Sequence, residues 1–111
     1  YRGVYMVNAK RDTCRYIYVP PYFKTMLENN HHAFMSSVRE YCRELVHPEY
    51  HDEFAKLLDY SYIEEQIAAH GSLKMTYQIR DGSRVHLKIT MADRSSADVH
   101  ELLWIFLDET Q

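Results

Sequence analysis

Glycine is scarce, with three copies in 111 residues. That leaves no phosphate-cradling glycine loop and no nucleophile elbow, and the chain has no HExxH run. Hydrolytic chemistry therefore has no support in the sequence. Two cysteines, Cys14 and Cys42, are too few for a disulfide framework. Both read as reduced thiols of a cytosolic chain. No apolar stretch approaches the ~20 residues that span a bilayer, and no secretory leader is visible. Strong positive charge is also missing. The formal net charge is −3, so there is no field to attract phosphates, and nucleic acid is not expected as a partner. The nearest basic cluster, Lys10, Arg11 and Arg15, flanks a turn and reads as a solvated hairpin tip.

What is present is ordinary for a soluble globular fold, with 46% hydrophobic and 26% charged residues. The length suits one domain with its own core, over residues 1–111. The first residue is not methionine and the last follows closely on a strand, so the chain reads as a segment of a longer protein. A membrane anchor elsewhere in the parent stays open. Tyrosine is the compositional outlier, with ten copies. Its flat apolar body and polar tip suit pocket walls and interfaces, and it is also a good strand residue.

The final forty residues carry the clearest pattern. Leu73, Met75, Tyr77 and Ile79 alternate with Lys74, Thr76, Gln78 and Arg80. Asp81-Gly82 supplies a tight turn. Val85, Leu87, Ile89 and Met91 then alternate with Arg84, His86, Lys88 and Thr90. A period of two buries one face of each strand and wets the other, and Asp-Gly between two such runs signals a hairpin. A third strand, Val99 to Leu107, is apolar on both faces over its second half, which places it centrally in a sheet. Earlier, Gly3 to Ala9 and Cys14 to Val19 read as a hairpin closed by Lys10 to Thr13 and ended by Pro20-Pro21.

Between these hairpins the chain is helical. Tyr22 to Glu28 reads as a short helix and Asn29 to His32 as a loop. Ala33 to Leu45 is amphipathic, with Phe34, Met35, Val38, Tyr41, Cys42 and Leu45 at helical spacing. Pro48 opens a helix to about Leu58, with Phe54, Leu57 and Leu58 inward. Ser61 with Glu64 fits a capping box for a last helix that Gly71 stops. The expected class is α+β, a five-stranded antiparallel sheet with helices packed on one face.

This order resembles a PAS domain over nearly the whole chain. Val46-His47-Pro48-Glu49 with Phe54 resembles the segment that opens a middle helix in many members. Tyr77-Gln78-Ile79-Arg80-Asp81-Gly82-Ser83 resembles a hairpin of the same family. Phe106-Leu107-Asp108-Glu109-Thr110 resembles its close, where the last strand hands over to an output module. The Tyr-rich opening and the closing Asp-Glu-Thr-Gln are similar to bacterial PAS modules placed before a diguanylate cyclase (GGDEF) domain. The resemblance implies a helix–sheet cavity that often holds a small ligand, frequent pairing as dimers, and a signal that leaves through the last strand. Asp108, Glu109 and Thr110 are then the signal exit, and any catalysis belongs to an output domain outside this chain.

No cofactor is expected. Cys42-Arg43-Glu44-Leu45 resembles the reactive-cysteine motif of LOV photosensors, but Tyr41 and Glu44 depart from it. The flavin ring of such domains needs amide side chains on the last three strands, because its polar edge cannot be buried unpaired. Tyr77, Leu87 and Phe106 stand there instead. Cys42 reads as a small core hydrophobe. For heme, His47 and His51 lie in a suitable region but match no heme motif of the family, and His47 reads as part of a helix-opening turn, bonded to local backbone. For a metal, His31-His32 and the His47/His51 pair supply two ligands where four are needed. Asp52-Glu53 and Glu64-Glu65 read as solvated faces. His86 falls on the outer alternation of its strand, and His100 on the inner parity at a strand start.

The remaining candidate is the sheet face turned to the helices. Tyr16, Tyr18, Met75, Tyr77, Ile79, Leu87, Ile89, Trp104 and Phe106 are expected there, met by Phe34, Met35, Val38 and Cys42. Such a wall suits a pocket for a small apolar or aromatic ligand, or a filled core, which dense packing favours. Leu103, Ile105 and Leu107 point the other way. A contiguous apolar patch in water seeks a cover, so this face is expected to take a second copy, giving a homodimer, or an upstream helix. Two functions follow: a sensory domain whose ligand biases a C-terminal output domain, or a ligand-free pairing module.

Overall fold

The computed structural model describes residues 1–92 and 101–109. Five strands form one antiparallel sheet in the order β2-β1-β5-β4-β3: β1 (Gly3–Asn8), β2 (Thr13–Tyr18), β3 (Leu73–Gln78), β4 (Arg84–Met91) and β5 (Glu101–Asp108). Four α-helices lie between the two hairpins: α1 (Pro21–Asn29), α2 (Phe34–Leu45), α3 (His51–Ala55) and α4 (Tyr60–His70). The α+β class read from the sequence is the class observed.

Alternation sets the layers. Buried Leu73, Met75 and Tyr77 on β3 oppose Ile89, Leu87 and Val85 on β4. Leu87 and Ile89 in turn oppose Phe106 and Trp104 on β5, and Trp104 opposes Tyr5 on β1. One continuous apolar face therefore crosses four strands, and all four helices contribute buried side chains against it. β5 pairs with both β1 and β4, the central position its two-sided apolar pattern predicts. Its expected start at Val99, and the side chain of His100, lie outside the described residues.

Local chemistry differs from the sequence reading in three places. The β3–β4 turn is longer than a two-residue Asp-Gly connection. Ile79 N–H donates to the Ser83 carbonyl and Gly82 N–H to the Ile79 carbonyl, both at 2.9 Å, around a left-handed Gly82 (φ 94°). This is a three-residue loop closed by a glycine bulge. β3 consequently ends at Gln78, and Ile79 instead bridges to Val46 beyond α2. The helix expected from Pro48 to Leu58 is a single turn and a half of α-helix, α3, flanked by 3-10 turns at Pro48–Tyr50 and Lys56–Leu58. Finally, Asp59 rather than Ser61 caps α4, its carboxylate accepting the Ser61 N–H at 2.9 Å. Gly71 ends that helix in the left-handed region, as predicted.

The tip of the first hairpin docks onto the helices. α2 begins without a capping side chain of its own. Asp12 supplies the missing acceptors, its carbonyl taking Phe34 N–H at 3.1 Å and its carboxylate Met35 N–H at 2.9 Å. The same carboxylate accepts the Tyr60 hydroxyl at 2.6 Å. Orphan N–H groups at a helix start need such partners. Lys10, Arg11 and Arg15 lie exposed around this tip, and Arg15 pairs with Glu101 at 2.6 Å. No helix among the described residues is long and apolar enough to cross a membrane.

Candidate functional site

Eleven of the thirteen residues expected on the inner wall are buried: Phe34, Met35, Val38, Cys42, Met75, Tyr77, Ile79, Leu87, Ile89, Trp104 and Phe106. Tyr16 and Tyr18 are not, with 45% and 51% exposure. The reason is position. β2 is an edge strand, beyond the helical cover, and nearly all of it is exposed. Its register also slips. Tyr16 opposes Tyr5 on the core face, but Tyr18 opposes Val4, leaving Ile17 as the extra residue of a bulge. The two tyrosines therefore do not line the core together.

The wall is packed. Phe34 meets the Trp104 ring edge-on at 4.9 Å, and Phe54 meets Tyr77 at 5.1 Å, in the T-shaped arrangement that ring quadrupoles favour. At its centre the hydroxyls of Tyr41 and Tyr77 share a hydrogen bond of 2.6 Å. Burial pushes both phenols up from their ordinary pKa. Burial does the same to the Tyr5 phenol, to Cys42, and to Cys14, which reaches about 11 with the Asp12 charge adding to burial. Both thiols are therefore protonated at neutral pH, which makes them poor nucleophiles. The Trp104 indole N–H is buried with no acceptor among the described residues.

A small pocket lies between the sheet and the first two helices, lined by Arg2, Tyr5, Tyr22, Phe23, Tyr41 and Phe106, and a larger, more polar cleft of about 250 Å³ opens between the later helices and β3, with Glu53, Lys56, Tyr62, His70 and Lys74 in its lining. The volume of the first, about 10 Å³, is close to the least that admits one water. Only Phe106 of its lining belongs to the wall read from the sequence. Tyr5 was within reach of that reading through the parity of β1, and Tyr41 through the spacing of α2. Arg2 gave no signal. It becomes a pocket residue because it hydrogen-bonds, through its backbone N–H, to the Phe106 carbonyl at 2.8 Å. Its guanidinium then meets Asp108 at 2.5 Å, from 106 residues away. Burial works against the Arg2 charge, but Asp108 and the neighbouring Tyr22 phenol outweigh it, and its pKa ends above the usual value.

The predicted exit, Asp108 and Glu109, sits beside Arg2, Arg84 and His86. Asp108 pairs with Arg2, and Glu109 lies 3.7 Å from Arg84 and 3.5 Å from His86. Thr110 lies outside the described residues. The histidines considered as ligands make local bonds. His47 Nδ1 accepts the Glu49 N–H at 3.2 Å, the helix-opening role expected of it, and His51 Nε2 bonds the Val46 carbonyl at 2.7 Å. His31 and His32 are exposed in a left-handed turn.

The outer face is a second candidate surface. Val4 opposes Ile105 and Met6 opposes Leu103, so the apolar residues of β1 and β5 lie side by side. All four are half-buried, and Leu107 is 37% exposed. Tyr18 of β2, opposite Val4, continues the strip at 51% exposure. Lys88 and His86 of β4, opposite Ile105 and Leu107, form its basic border. Comparison with family models, curated proteins and solved structures returns no match.

Proposed function

We propose that this chain is a sensory or regulatory domain of the PAS type. It pairs with a second copy through the outer face of its sheet, and it passes changes along β5 to an output domain that follows, a diguanylate cyclase being the kind the resemblance offers. The observation that carries this reading is the apolar strip of Val4, Met6, Leu103, Ile105 and Leu107, which crosses β1 and β5, the strand that ends at the exit. Strips of this kind mark interfaces more often than bare surface. The packed aromatic centre of the helix–sheet core, where the pocket beneath α1 has room for about 10 Å³, favours pairing over a large ligand at that centre as the primary role. Asp108 and Glu109 tie the end of β5 to Arg2, Arg84 and His86, so a shift of β5 is felt where the chain leaves the sheet.

Sedimentation velocity over a range of concentrations tests the pairing. Ile105→Asp places a charge at the centre of the strip, where burial without a partner is costly. The expected result is a dimer for the native chain and at least ~10-fold weaker association for the variant, with its circular dichroism unchanged. Leu103→Lys is expected to act in the same direction. Unchanged association in either folded variant contradicts the reading.

A further inference from the structure

The pocket beneath α1 contains more hydrogen-bond donors than it uses. The Arg2 Nε–H is buried and has no partner among the described residues, because Asp108 engages Nη1. A guanidinium offers five N–H donors in a fixed fork, and its Nε edge matches a carboxylate. Tyr5, Tyr22 and Tyr41 place phenols around the same space. The Tyr41–Tyr77 pair uses one of its two hydroxyl hydrogens in its mutual bond. With Tyr77 donating, the Tyr41 hydrogen is available to a guest. The walls are otherwise aromatic, from Phe23 and Phe106. A cation, phenolic donors and ring faces around one space select a flat apolar body that carries a negative charge.

We propose that this pocket is a binding site for a small aromatic carboxylate, held on the free edge of Arg2. The space is too small for such a guest as it stands. Of the lining residues Tyr22 alone is exposed, and its ring stacks on Tyr41 at 6.4 Å and 13°. Tyr22 is on the first turn of α1 and swings outward to admit the guest, whose ring takes its place against Tyr41. The guest carboxylate and Asp108 then share one guanidinium. Their mutual repulsion loosens Asp108, so the guest acts on the end of β5. By linkage, Asp108 must weaken the guest by the same factor. The site stands apart from the outer face and does not need pairing to operate.

Benzoate is the test ligand and benzamide its uncharged control, titrated into the full chain and followed by aromatic and methyl NMR resonances. The expected result is saturable binding of benzoate, in the range up to ~10 mM, with shifts at Tyr5, Tyr22 and Tyr41 and none from benzamide. Arg2→Gln is expected to weaken benzoate at least ~10-fold. Asp108→Asn, at a half-exposed position that leaves the core untouched, is expected to tighten it several-fold. That opposite sign separates the proposal from general damage to the fold. The proposal is overturned if benzoate does not bind the native chain, if benzamide binds as well, if folded Arg2→Gln binds equally, or if Asp108→Asn leaves affinity unchanged or lowers it. Sedimentation reads pairing separately, so either result can fail without the other.

Discussion

Raising the pH above 10 is expected to unfold this domain steeply. Tyr5, Tyr41 and Tyr77 are 3%, 4% and 0% exposed, and burial raises the pKa of each phenol well above the ordinary value. In the unfolded chain phenols ionise near 10. Below that pH both states hold the same phenolic protons, and the stability contribution is complete. Above it the unfolded state releases protons that the native state retains, so stability falls as pH rises. One unit above 10, each retained proton costs about 1.4 kcal/mol, or about 4 kcal/mol for the three together. Tyr60, partly buried and bonded to Asp12, adds a smaller share. Against a typical stability of about 5–15 kcal/mol, that loss is large. Phenolate absorbance recorded with far-ultraviolet circular dichroism checks it. Tyr5, Tyr41 and Tyr77 are expected to ionise only as structure is lost. Ionisation of all ten near 10 with unchanged dichroism contradicts the packing described here.

Trp104→Ala is expected to be the most damaging single substitution. The indole is fully buried on the central strand, against Phe34 and beside Phe106. Its removal forfeits burial and leaves a cavity between β5 and α2 that neighbouring rings fill only in part, at a cost of about 3–5 kcal/mol. For a domain of this size each kcal/mol moves the melting temperature by about 4–8 °C, so a fall of ~15 °C or more is expected. Trp104→Phe is a sharper comparison. It gives up part of the ring but also removes an indole N–H that is buried without an acceptor among the described residues, and unsatisfied donors carry their own penalty. Its cost is expected to be well under half that of Trp104→Ala. Thermal melts of the two variants check the ordering, and equal losses contradict it.

The parts of this fold that were legible in the sequence are those where a period alone carries the information. Leu73 to Tyr77 and Val85 to Ile89 announce their inner face by alternation, and Trp104 and Phe106 follow from the opposite parity to Leu103 and Ile105. Period says which side of a strand is apolar, however, not where the strand stands in the sheet. Tyr16 and Tyr18 have the right parity for a wall, but β2 is an edge and its bulge changes their register. Capping was similarly ambiguous. Asp59 and Ser61 are both good N-caps, and a shift of two residues lies within the reach of either. The pocket was the least legible. Arg2 and Asp108 sit at opposite ends of the chain, and only the pairing of β1 with β5 brings them together. No local pattern carries that contact.

The central claim is that the outer face of β1 and β5 meets a second copy. Isotope-filtered NMR on a mixture of labelled and unlabelled chains tests it most directly, because it reports contacts between protomers and not within one. The account expects intermolecular contacts from the methyls of Val4, Met6, Leu103 and Ile105. Intermolecular contacts confined to the helices, or none at concentrations where the chain sediments as a dimer, would contradict it.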